Sequence, residues 1–232
     1  MEMIQIFLTS LLLLPLALGT LGPAEEFFDV LGTGLKEWRL VFRGTAYINL
    51  SMYTAYKDGS NVPAIVHEAC RQTDWSKPCD THYRNADALA HWSNIMEVLL
   101  GVVERGQIVK TAIFKGDNTD YMSWFSESHY INSSWADLST ETHQFFGIAG
   151  HDAVKRHFFI NHNYNGCPHD AGWLAVVDTI TNVPCDWEKD EAFPIIKYAA
   201  GEKYENWNTG NFRNADALVV FVKYSSGAAI VG

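Results

Sequence analysis

The sequence predicts an all-β or β-dominated α+β protein: one antiparallel, sandwich-like domain with one or two short helices. Short apolar runs rich in Val, Ile, Phe and Tyr recur along the chain, and Gly, Pro, Asn and Asp punctuate them. Two β-branched runs have the form of a hairpin. Aromatic residues make up 13% of the chain, with 8 Trp and 13 Phe, which suits sheet surfaces and a sizeable core.

The elements follow in order. Residues 38–56, WRLVFRGTAYINLSMYTAY, read as early strands broken at Gly44 and closed by a Lys57-Asp58-Gly59 turn. Residues 60–82 read as loop, with two prolines and the first two cysteines. Residues 84–96, RNADALAHWSNIM, place Ala86, Leu89, Trp92 and Ile95 at helical spacing. Runs 97–103 and 107–114 are joined by Glu104-Arg105-Gly106 and form the hairpin. Further strands are expected at 145–150, 156–162, 172–178, 193–198 and 216–224. The hexapeptide Arg84-Asn85-Ala86-Asp87-Ala88-Leu89 recurs as Arg213-Asn214-Ala215-Asp216-Ala217-Leu218. The flanking residues do not align, so coincidence or a shared local turn explains the match better than a repeat architecture.

The chain opens on a secretory signal. Residues 4–18, IQIFLTSLLLLPLAL, are apolar and uncharged, and Pro15 interrupts them. Ala17-Leu18-Gly19 fits a small-residue cleavage site. Residues 1–19 are read as signal peptide and 20–232 as one extracellular domain. The run is barely long enough to span a membrane as an uncleaved anchor, and no other run approaches that length. The C-terminal AAIVG is too short for a lipid-anchor signal.

Net charge is −10, which argues against nucleic acid and anionic membranes as partners. It leaves extracellular proteins and glycans. Cys70, Cys79, Cys167 and Cys185 read as two disulfides in an oxidising compartment. Three connectivities exist, and the local one, Cys70 with Cys79 and Cys167 with Cys185, closes the shortest loops. CxxC spacing for zinc is absent. Asn49-Leu50-Ser51 and Asn132-Ser133-Ser134 are N-glycosylation sequons, which export makes meaningful.

Candidate chemistry is sparse. Asp117, Asn118 and Asp120 put acid and amide oxygens on one turn and are candidate calcium ligands, although Asx-rich turns also arise from their own backbone bonding. His157, His162 and His169 invite a metal reading, but 157 and 162 differ by an odd number and fall on opposite strand faces. No G-x-S-x-G elbow occurs, and no carboxylate pair can be assigned to glycoside hydrolysis. Glu188, Asp190 and Glu191 read as a solvated acidic loop. Trp124, Trp135, Trp173 and Trp187 read as core residues that happen to adjoin polar loops. Trp207, in NWNTG, is the one expected to be exposed and to stack on a ligand.

Beyond these patterns, MSWFSESHYINSSWADL, FFGIAG, RHFFINHNYNGCPHDAGWLAVVD, CDWE and PIIKY together resemble a family of secreted proteins of marine invertebrates: molluscs, corals and lancelets. The resemblance covers residues 97–224. It implies export and the Cys167–Cys185 pairing, and it assigns no activity or site; the first cysteine pair lies outside it. A looser likeness to fibrinogen-type lectin domains lacks that family's calcium and cysteine pattern. Charge and resemblance together lead to a secreted, non-enzymatic binding or matrix protein, either a component of a skeletal or shell matrix or a soluble recognition factor. A secreted hydrolase with a site assembled from distant loops and a secreted toxin or defence effector are the alternatives.

Overall fold

The structure, a computed structural model, describes residues 27–225. The expected signal peptide and its cleavage site lie outside them. The first six strands build one sheet: β1 (Phe27–Phe28), β2 (Trp38–Thr45), β3 (Tyr83–Arg84), β4 (Ile95–Glu104), β5 (Gln107–Lys115) and β6 (Tyr130–Ser133). The next six build the second: β7 (Phe145–Gly147), β8 (Arg156–Asn163), β9 (Ala171–Val177), β10 (Ile195–Ala199), β11 (Glu205–Asn206) and β12 (Phe212–Ala215). The last strand, β13 (Ala217–Tyr224), returns to the first sheet and inserts between β2 and β4. The order is β1-β2-β13-β4-β5-β6, with β3 beside β2, against β12-β10-β9-β8-β7, with β11 beside β9. Every pairing is antiparallel. The predicted β-dominated sandwich is therefore present.

The hairpin of β4 and β5 forms where the sequence places it. Arg105 and Gly106 both have positive φ, 51° and 76°, as a two-residue turn matched to strand twist requires. Residues 52–58 depart from expectation. They form helix α1 (Met52–Asp58), not strand: Ser51 caps Thr54 N–H, and Gly59 ends the helix at φ 82°. Gly44 does not break the preceding strand. A side chain there would collide with Met52 Sδ at 2.4 Å, so the glycine seats α1 against β2. The helix expected over 84–96 is only α2 (Ala86–Ala90), capped by Asn85, because Ile95 already belongs to β4.

Between the sheets lies the main core, built from inward residues such as Phe42, Leu100 and Val220 on one side and Phe158, Leu174 and Ile196 on the other. Trp124 and Trp135 enter it from loops. Both outer faces are apolar as well, and each is covered by a loop that a disulfide closes. Over the first sheet, Cys70–Cys79 fixes a loop whose Trp75 meets Phe221 edge-on at 6.3 Å. Over the second, Cys167–Cys185 fixes a cover containing Trp187 and Trp207. The local connectivity expected from loop length is the one present.

Two expectations fail in this second cover. Trp207 is 0% exposed and stacks on Trp187 at 5.5 Å, so it is not available to a ligand. Glu188 is 3% exposed rather than solvated: Oε1 accepts from Arg156 Nε at 2.7 Å, and Oε2 accepts from the Cys185 N–H at 2.7 Å. Asp170 takes the other arm of Arg156 at 3.0 Å. The guanidinium lies 4.5 Å from the Trp187 ring centre. Burial pushes the Asp170 carboxyl up, and Arg156 pulls it back only partly.

Candidate functional site

Between the edge of the second sheet and a turn leading to β6 lies an open groove of about 410 Å³. One wall is residues 122–126. Asp120 fixes this turn: its Oδ1 accepts from Met122 N–H at 2.7 Å and Ser123 N–H at 2.9 Å, while Ser123 Oγ accepts from Asp120 N–H. Trp124 anchors the turn from beneath by donating to Tyr56 Oη. The other wall is β7 with residues 148–150. Phe125 and Phe146, 5.3 Å apart edge to face, join the two walls. Ser123, Ser126 and Gln144 line the groove with polar side chains.

β7 is an edge strand. Gln144 N–H donates to Asn161 O, and Ile148 O accepts from Phe158 N–H. Antiparallel alternation therefore turns residues 144, 146 and 148 toward β8 and directs the main-chain groups of Gly147 toward the groove. No atom lies within 4 Å of where a Gly147 Cβ would stand. Gly150 is different: at φ 53° a Cβ would lie 2.2 Å from Arg156 O, so that corner tolerates glycine alone.

Four of the nine histidines flank the groove. His129 Nδ1 bonds Ser126 Oγ at 2.9 Å. His151 stacks on Phe145 and bonds Tyr164 Oη at 2.7 Å. His157 Nδ1 bonds Ala149 O at 3.0 Å. His143 packs on Phe146 and Trp173 with its side chain 3% exposed, and neither ring nitrogen has a hydrogen-bond partner. Glu127 Oε2 is nearest, 3.5 Å from Nδ1. The sequence reading singled out His157 alone among these. The others missed notice because no motif spacing links 129, 143 and 151; they come to the groove on segments that meet through the packing of Phe125 on Phe146.

His162 and His169 do not join His157. His162 stacks on Tyr204 at 4.1 Å and bonds Thr142 O. Asp117, Asn118 and Asp120 sit on the turn after β5, where Asn118 has φ 59° and Asp120 is occupied by the backbone bonds above. Among the described residues no group of three or more His, Cys, Asp or Glu side chains is arranged to hold a metal ion. The calcium expectation gains no support at that turn.

Ser51, His157 and Asp178 come together, but not in a nucleophile's order. Asp178 accepts directly from Ser51 Oγ at 2.7 Å and from the N–H groups of Met52 and Tyr53. It caps α1. His157 Nε2 is 3.9 Å from Asp178, and its ring lies 4.0 Å under Tyr53, stacked within 4° of parallel. Burial holds His157 below the ordinary histidine range, with Asp178 opposing.

The two sequons differ. Asn49 has φ 57°, and its Oδ1 accepts from Phe193 N–H at 3.1 Å. Asn132 is exposed on β6. No helix among the described residues is long and apolar enough to cross a membrane, and the two disulfides are compatible with an oxidising, extracellular setting. Comparison with protein-family models, with curated proteins and with solved structures finds no match to this chain.

Proposed function

We propose that the chain is a secreted, non-enzymatic binding protein of the recognition or matrix type, and that the groove between residues 122–126 and β7 receives its extracellular partner. The open groove carries this reading. It combines an edge strand, the half-buried rings of Phe145 and Phe146 and the polar residues Ser123, Ser126 and Gln144, which is the chemistry of binding sites for extended peptides and for sugars. The apolar run at residues 4–18, the paired cysteines and the sequons support export. The resemblance to secreted marine-invertebrate proteins points the same way.

Gly147 supplies a direct test, because it lines the groove and, its chain neighbours aside, nothing lies within 4 Å of where its Cβ would stand. The full chain is screened against a glycan array and a displayed library of extended heptapeptides. Binders selected on the wild type lose at least tenfold affinity for Gly147→Trp, while the Tm of the two proteins agrees within 2–3 °C, about what a surface substitution costs. Binders that do not distinguish the two proteins place recognition elsewhere.

A further inference from the structure

The strand β6 ends the first sheet, and its four residues, Tyr-Ile-Asn-Ser, carry no charge and no proline, so the protein part of this edge is guarded only by the strand's shortness and by the bulge at Ile131. Ile131 is 40% exposed. Asn132 pairs with Ile113, a member of the apolar outer face, so the asparagine sits where that face meets solvent. It is also the asparagine of a sequon. We propose that Asn132 carries an N-linked glycan and that this glycan closes the β6 edge against pairing with a second copy of the chain.

The contrast with Asn49 sharpens the assignment. Asn49 is built into the fold, exchanging bonds with Phe193 through its side-chain carbonyl and its backbone N–H. Both positions are exposed, but Asn132 stands on a sheet edge beside a β-ladder neighbour that benefits from cover. The transfer itself needs a lipid-pyrophosphate-linked oligosaccharide. Asn132 Nδ2 bonds to the anomeric carbon of the first sugar and gives up one proton. The carbon–oxygen bond to the carrier breaks, and the pyrophosphate leaves with its electron pair. This proposal rests on the export reading above.

The test separates the two ideas by expressing two forms of the full chain in eukaryotic cells. One carries its own N-terminus; the other has an independent export signal placed ahead of it. Failure of the first form alone to reach the medium contradicts export by the native leader, while the second form still decides the glycan. Peptide mapping of the exported protein should find Asn132 glycosylated. The glycosylated protein should elute as a monomer. Enzymatic removal of the glycan from the folded protein, and Asn132→Gln, should each shift it to dimers or larger species with unchanged circular dichroism. An unmodified Asn132 in exported protein overturns the proposal, and so does a deglycosylated protein that stays as monomeric as before.

Discussion

The two outer faces of the sandwich are covered by the same means and held with different chemistry. Each cover has a disulfide, a tryptophan and a buried arginine beneath it. Over the first sheet, Arg43 lies 5.4 Å from the Trp75 ring centre, donates to Ala69 O and leaves Nε without a partner. Burial lowers its pKa, and the negative charge of Asp216 opposes that only in part. Over the second sheet, Arg156 is bonded to both Glu188 and Asp170; burial pulls its pKa down, and Glu188, Tyr164 and Asp170 together more than offset that and leave it raised. One arginine is a packing element with a polar tip. The other is the hub of a charge network that ties β8 to the covering loop. The second cover also stands directly behind β8 and β9, and β8 is the strand that pairs with β7 at the groove. A rigid backing where the groove is formed is what a binding edge requires.

Substituting the arginines gives the largest expected separation. Arg156→Met leaves two buried carboxylates without a cation and should cost about 3–5 kcal/mol in urea unfolding. Arg43→Met removes a charge that has no close carboxylate and restores similar volume, so about 1 kcal/mol or less is expected. Equal losses would erase the distinction.

The disulfides should differ less. Loop-closure entropy assigns about 3 kcal/mol to the Cys167–Cys185 bridge, whose cysteines are 18 residues apart, and roughly 0.5 kcal/mol less to Cys70–Cys79, which are 9 apart. Paired Cys→Ser variants measured by urea unfolding check the order. A larger loss from the first pair would show that its cover depends on the bridge more than on packing.

The smallest effect is a difference in acid sensitivity. His82, beside the first cover, is held below the histidine range chiefly by burial. The unfolded chain therefore takes up its proton first, and stability is lost as pH falls below about 6.5. His157, at the groove, contributes with the same sign. Asp170, under the second cover, has the opposite sign, because burial raises its pKa and the folded state accepts its proton more readily. As pH falls from about 7 to about 5, the hydrogen-exchange protection factor, corrected for the intrinsic rate at each pH, should therefore fall around residues 79–84 before it falls around 167–187. His82→Gln should flatten the fall of Tm with acid. Simultaneous opening of both covers would contradict this account.

What the sequence revealed and what it hid follow from the range of the forces involved. The β4–β5 hairpin was legible because Glu104-Arg105-Gly106 sets its own turn. The burial of Glu188 and Trp207 was not, because their partners Arg156, Asp170 and Trp187 are gathered by sheet pairing and a disulfide. The repeated hexapeptide makes the point most directly. In its first copy Asn85 caps a helix and Leu89 packs inward from α2. In its second copy the same residues end β12 and begin β13, with Ala217 paired to both Thr45 and Val103. Six identical residues take helix or strand according to their neighbours, so the match records no shared turn. The groove stayed hidden for the same reason: residues 122–126 and 144–150 are far apart in sequence and meet where Phe125 packs edge to face on Phe146.

The central claim is that the groove beside β7 is the binding surface. Hydrogen exchange of the full chain, with and without the tightest binder from the array or library, tests it most directly. The account predicts slowed exchange confined to residues 122–126 and 144–150, and no slowing in Gly147→Trp at the same binder concentration. Protection centred on the β6 edge or on either disulfide cover, with these two segments unchanged, would contradict it.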